Sequence, residues 1–269
     1  MDRQPVVAGQ FYNGRENALR SEVQKYLALA SEKSGRPTIL AMAPHAGYVY
    51  SGAVAGRTLG RADLSGTVVL LGPNHTGQGR ALAVWPEGRW FTPLGGMAVD
   101  SDLADKLTRA EDRLSPDYRA HLAEHSLEVM LPFLTVINPE MRIIPVSVSE
   151  NRFDVLASVG ANMAKTLREW PSPVSIVVSS DMSHYISHDQ AKARDAMALE
   201  PILALDPEGL IRVVRKNSIS MCGVLPMTLG LIVAKALGAA SAEVAAYATS
   251  GEAGGDFERV VGYAGVIVD

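Results

Sequence analysis

Three histidines and the chain's single cysteine stand in short turns whose composition suits ligand chemistry. These are Pro44-His45-Ala46-Gly47-Tyr48, Gly72-Pro73-Asn74-His75-Thr76-Gly77, Ser179-Ser180-Asp181-Met182-Ser183-His184 and Met221-Cys222-Gly223. Imidazole nitrogens and a thiolate are donors that zinc, copper and iron accept. Each histidine turn follows an apolar, β-branched run: Thr38 to Ala43, Val68 to Leu71, and Val174 to Val178. Such runs read as buried strands of an α/β sheet, and ligand-binding residues in these sheets collect just beyond the carboxyl ends of the strands. Three imidazoles delivered to one rim, with the only thiol nearby, make a metal pocket.

Each of these residues also has a plainer reading. An imidazole in a turn such as that of His45 is often a loop hydrogen-bonder, although the small residues around His75 let backbone approach a ligand closely. Cys222 reads either as a buried structural thiol or as a thiolate favoured by the positive end of the helix that follows. Asp181 either caps a following helix or orients His184 as a general base, and His188 reads as a surface residue. The stretch His121-Leu122-Ala123-Glu124-His125 matches the H-x-x-E-H pattern of inverted zinc proteases. A five-residue pattern arises by chance, and on a helix Glu124 and Glu128 would share one polar side. No phosphate loop, no G-x-G-x-x-G after a strand and no G-x-S-x-G elbow occurs.

The elements that must position these turns alternate along the whole chain. Helices are expected over Ala18 to Ala30, Gly52 to Gly60, Ala120 to Phe133, Phe153 to Trp170, Asp189 to Leu205, Pro207 to Val214 and Pro226 to Leu237. Asp100 or Ser101 can cap a further one. Ala81 to Trp85 and Trp90 to Val99 are expected to form a hairpin about Pro86-Glu87-Gly88. Arg142 to Val148 reads as a strand whose Pro145 places it near an edge or a bulge. Glu243 to Thr249 and Val260 to Val268 are closing strands around a glycine-rich loop. No repeat or linker divides the 269 residues, so one α/β domain is expected, with helices on both faces of a mixed, mostly parallel sheet.

Composition narrows the function classes. With 47% hydrophobic and 20% charged residues the chain can fill a substantial core. A net charge of −4 and only 6% aromatics give no footprint for nucleic acid or an anionic membrane. No apolar stretch approaches the ~20 residues that span a bilayer. One cysteine and no secretion-type order at Met1-Asp2-Arg3-Gln4-Pro5 make the cytoplasm the expected location.

Taken together, the turns resemble the MEMO family, known also as protein B of the AmmeMemoRadiSam system. The residues that carry the resemblance are Pro5 to Tyr12, Ala43 to Gly52, Leu71 to His75, Thr92 to Gly95, Glu124 to Glu128, Ser179 to Tyr185, Cys222-Gly223 and Val260 to Tyr263. They run almost end to end in the family's order; Gln10 departs from its usual pattern. The resemblance implies a LigB-like fold over residues 1–269, shared with class III extradiol dioxygenases, which hold Fe(II) with two histidines and a glutamate. In the MEMO family a cysteine takes the glutamate's place, so the implied metal ligands here are His45, His75 and Cys222. His184 matches the dioxygenases' catalytic base, with Asp181 and His125 beside it. Two imidazoles and a carboxylate suit oxygen-activating Fe(II), and a thiolate in that set also admits copper or zinc.

Three functions are then expected to compete. The first is a non-haem iron, or copper, oxidoreductase acting on a small organic molecule. The second is metal-assisted hydrolysis. The third is a non-catalytic module, since animal members of the family are described as adaptors for phosphotyrosine peptides and as handlers of iron or copper. The family also implies association with AMMECR1-like and radical-SAM proteins.

Overall fold

The computed structural model describes residues 1–33 and 35–269. Its strands are β1 (Leu40–Ala43), β2 (Thr67–Pro73), β3 (Leu82–Val84), β4 (Arg89–Thr92), β5 (Gly95–Ala98), β6 (Ser115–Pro116), β7 (Arg142–Val148), β8 (Val174–Ser179), β9 (His184–Ile186), β10 (Ala242–Thr249) and β11 (Val260–Val268). Its helices are α1 (Glu16–Leu27), α2 (Tyr48–Arg61), α3 (Ser101–Ala110), α4 (Arg119–Leu122), α5 (Leu131–Ile137), α6 (Phe153–Arg168), α7 (His188–Leu203), α8 (Pro207–Lys216), α9 (Val224–Ala236) and α10 (Ser250–Gly254).

Nine strands form one mixed sheet in the order β10-β11-β1-β8-β2-β7-β3-β6, with β9 on β11. The central four, β1, β8, β2 and β7, run parallel. Strands β11 and β10 add antiparallel on one side and β3 on the other. Successive strand residues face opposite ways, and the two cores divide accordingly. Leu40, Met42, Val69, Leu71, Ile176 and Val178 pack with α6, α8 and α9 on one face. Ala41, Ala43, Val68, Leu70 and Val177 pack with α1, α2 and α5 on the other. The sheet is covered on both faces, the three-layer arrangement that the continuous apolar runs imply. Among the described residues no helix is long and apolar enough to cross a membrane.

Several boundaries differ from expectation for physical reasons. The hairpin is β4 with β5, turning at Pro93-Leu94, whereas β3 joins the main sheet beside β7. Pro145 lies within β7 where the short partner β3 ends; its carbonyl still accepts from the Trp85 N–H at 3.0 Å. The glycine-rich loop contains α10, closed by Thr249 and Glu252 as a capping box, and Asp100 caps α3 by accepting from the Leu103 N–H.

The largest departure lies in residues 120–133, which are not one helix. The chain leaves helical geometry after Leu122 and resumes with a 3₁₀ turn at Glu128–Met130. Arg3 binds the chain at this break: its Nε donates to the His121 carbonyl at 2.9 Å and its Nη2 to the Glu124 carbonyl at 2.6 Å. Arg3 Nη1 meets Glu128 Oε2 at 2.7 Å, with both side chains essentially inaccessible. Glu128 also accepts from the Val6 and Val7 N–H groups and from the Tyr12 hydroxyl. The polar helix side expected of Glu124 and Glu128 is therefore buried.

Removing one partner of such a pair leaves a buried charge uncompensated, which costs about 3–5 kcal/mol. Glu128→Gln is expected to lower unfolding stability by about that amount in urea titrations, and a loss within experimental error would show the pair to be dispensable.

Candidate metal centre

Strands β1, β8 and β2 are consecutive and parallel, so their carboxyl ends open on one rim. Strand β1 runs into Pro44-His45, β2 into Asn74-His75, and β8 into Ser180-Asp181, with His184 opening β9. The N-terminus of α9 brings Cys222 to the same place, and Gly223 permits it: a Cβ there would lie 2.3 Å from the Ser180 Cβ. The turn around His75 is set by Asn74, whose Oδ1 accepts from the Thr76 hydroxyl and the Gly77 N–H, with Gly77 at φ +66°. The irregular segment after α4 adds His125.

Hydrogen bonds at Nδ1 decide how three of these rings face. Ser179 Oγ donates to the Ser126 carbonyl at 2.7 Å, so it accepts from His45 Nδ1 at 2.7 Å. His75 Nδ1 donates to Glu124 Oε1 at 2.9 Å, while Glu124 Oε2 takes the His75 main-chain N–H at 2.5 Å. His184 Nδ1 donates to the Ser220 carbonyl at 2.9 Å, and the Ser220 hydroxyl takes its main-chain N–H at 2.7 Å. An imidazole whose Nδ1 carries the proton presents an Nε2 lone pair. A histidine oriented by a carboxylate or carbonyl in this way is the usual support of a metal ligand.

His125 completes the group. Its ring stacks on His75 at 4.9 Å and 21°, meets His45 edge-on at 5.5 Å, and packs against Phe11 at 4.8 Å. One ligand atom from each of His45, His75 and His125 lies within 4.8 Å of the other two, close enough to hold a metal ion. Cys222 Sγ lies 3.3 Å from His45 Nε2 and accepts the Asp181 N–H at 3.2 Å. Metal bonds of about 2.0–2.1 Å to nitrogen and 2.3 Å to sulfur place such atoms roughly 3.1–3.5 Å apart. The 3.3 Å spacing is that of the thiol donating to this nitrogen, and it also falls within the range for two donors to one ion.

Charge follows from burial. His45, 2% exposed, is held well below the ordinary histidine range by burial and then by the neighbouring His125 and His75. Burial also lowers His125, whereas the hydrogen bond to Glu124 raises His75. Burial would raise Glu124, but the bonds from His75 and Ser126 and the His75 charge outweigh it and bring it down to about 2. The Cys222 thiol is pushed up by burial and by Asp181. Of the two readings of Cys222, this direction matches the buried thiol rather than the thiolate favoured by the helix dipole.

Asp181 does not cap a helix. Its Oδ1 accepts from the His45 and Ala46 N–H groups, at 2.8 and 3.3 Å, and its Oδ2 lies 4.0 Å from His45 Nε2. His184 is oriented by Ser220, with no bond to Asp181. His121 takes no part in the group: it is buried, its Nε2 donates to the Ala83 carbonyl at 3.0 Å, and burial lowers its pKa to about 4. The H-x-x-E-H pattern is accordingly divided between a packing histidine, an orienting carboxylate and a member of the cluster. Sequence reasoning missed Glu124, Ser126, Ser220 and Arg3 as supports. Glu124 was signalled by the H-x-x-E-H pattern and by the Glu124 to Glu128 motif, Ser126 by that motif alone.

The Glu124 carboxyl, at about 2 in the folded protein against an ordinary 4.5, stabilises the fold above pH 4.5, and that contribution is lost as the pH falls from there toward 2. Glu124→Gln is expected to cost about 3 kcal/mol at pH 7 and progressively less toward pH 2. Urea midpoints for both proteins at pH 7 and pH 3 check this; an equal loss at both would contradict it.

Comparison with known proteins gives the family to which the chain belongs. Residues 3–267 match the family model described as Memo-like protein. A MEMO1 family protein of Methanopyrus kandleri is 39% identical, covering 99% of both chains. One of Methanothermobacter thermautotrophicus is 36% identical over 98% of this chain and 99% of its own. One of Aquifex aeolicus is 37% identical over 98% of both. Likeness of this extent, spanning every strand end that carries a histidine, makes the chain a member of the Memo-like family.

Proposed function

We propose that the site is a metal-dependent oxidoreductase centre resembling that of class III extradiol dioxygenases and acting on a small organic substrate. In this reading His45, His75 and Cys222 hold the metal, with His125 as a further nitrogen beside them. The observation that carries it is the gathering of ligand atoms of His45, His75 and His125 within 4.8 Å of one another, with the Cys222 sulfur 3.3 Å from His45 Nε2. The donor set fits: imidazole and thiolate suit Fe(II), which we favour, and also copper or zinc. Iron held there would supply the redox chemistry.

The chain's own residues divide the remaining work. His184, with Nδ1 committed to Ser220, has Nε2 available to take or return a substrate proton. Asp181, raised by burial though opposed by the His45 N–H, sits between the strand ends with Oδ2 toward the His45 ring. His125 and Phe11 together wall one side of the cluster.

A second reading rests on the three imidazoles alone. Three histidines are the donor set of a catalytic zinc that activates water, and with His184 as base they would serve a hydrolase.

Metal analysis of anaerobically purified protein separates the two. Iron with oxygen uptake on a catechol-type panel supports the first reading; zinc with oxygen-independent hydrolysis supports the second. Cys222→Ser is expected to weaken binding of zinc and copper at least tenfold more than binding of magnesium, as loss of a soft ligand requires. Equal losses would remove the sulfur from the ligand set. His184→Ala is expected to abolish turnover with metal content retained; loss of the metal together with activity would make His184 a ligand instead.

A further inference from the structure

Outside the imidazole cluster, Arg3 is a buried polar group that ties distant parts of the chain together. Its guanidinium is 1% exposed, lies 4.3 Å over the Trp90 ring, and bonds Glu128, the His121 carbonyl and the Glu124 carbonyl. An ion pair needs only the first of these acceptors. The other two are main-chain oxygens of the segment that leaves helical geometry after Leu122. That segment carries both Glu124, which grips the main chain and ring of His75, and His125. Glu128 is held from the far side by the Val6 and Val7 N–H groups and by the Tyr12 hydroxyl. The first twelve residues and the segment 121–128 therefore form one hydrogen-bonded unit.

We infer that Arg3 is a positioning residue of the metal centre. By fixing the carbonyls of His121 and Glu124 it fixes the carboxylate that aims His75 and the backbone that presents His125. Metal affinity thus depends on an N-terminal residue that touches no donor atom. The inference rests on the metal reading given above. Lysine at position 3 would keep a charge opposite Glu128 but lacks the planar fork that reaches three acceptors at once, so Arg3→Lys separates charge from positioning.

The test is a Co(II) titration of the full chain followed by absorbance, with thermal unfolding of the metal-free proteins alongside. Arg3→Lys is expected to bind Co(II) about 10- to 100-fold more weakly, the usual range for losing an outer support, and to show an altered d–d spectrum. Leu167→Ala serves as the control. Leu167 is buried near the end of α6 that leads into the start of β8, across the sheet from the histidines. The control should lower the melting temperature and leave Co(II) affinity and spectrum as in the wild type. Tyr12→Phe removes a single Glu128 donor and reads the same linkage if Arg3→Lys does not fold; it should weaken Co(II) severalfold. Wild-type affinity and spectrum in the folded variant overturn the inference. A wild type that takes up no Co(II), Fe(II) or Zn(II) overturns the metal reading instead.

Discussion

A guanidinium that is fully buried must have its donors met, and meeting those of Arg3 shapes the part of the molecule that matters for chemistry. Glu128 supplies the opposite charge, and two carbonyls of segment 121–128 supply the remaining acceptors. The chain leaves helical geometry beside these contacts, and Glu124 turns inward there, where its carboxylate finds the main chain and ring of His75. The chain of consequence runs from one buried charge to the aim of one ring. Buried pairs of this kind contribute little net stability against apolar replacements, so the value of this one lies in the geometry it imposes.

The cluster itself is held against electrostatic preference. Burial disfavours protonation of His45 and His125, and packing the three imidazoles within 4.9–5.5 Å of one another adds to this. His75 departs from the pattern because Glu124 offers it a full negative charge. The group thus has one carboxylate anchored in the ionised state, two imidazoles kept neutral, and a thiol kept protonated. Each of these features suits a cation: neutral nitrogens offer lone pairs, the carboxylate offsets positive charge from behind, and the thiol can release its proton as the ion enters.

Much of this was legible in the sequence. The runs before His45, His75 and Ser179 are β-branched and apolar because their strands are covered on both faces, and that pattern has few other readings. The parallel order of those strands then leaves the histidine turns on one rim. Residues 120–133 misled because their apolar spacing is helical while the partner that binds the carbonyls at the break is Arg3, over a hundred positions away. The same distance hid Glu124 and Glu128, whose i, i+4 spacing is equally that of a solvated helix face. Trp85 and Trp90 suggested a hairpin because local alternation cannot tell which neighbour a short strand will choose; β3 chose β7 through a pairing remote in sequence. His125 was found by resemblance rather than by spacing, since its place beside His75 follows from the broken helix alone.

What separates the competing chemistries is the identity of the donor opposite His45. The nitrogen set of His45, His75 and His125 is hard enough to suit a metal that never changes oxidation state. Sulfur at 3.3 Å from His45 Nε2 changes that balance, because a thiolate donates charge and stabilises the softer ions. The sulfur is also the donor whose proton is hardest to remove, being buried beside Asp181. In the proposed ligand set, an entering ion would have to displace that proton, so burial of the thiol beside a carboxylate would favour strongly polarising cations.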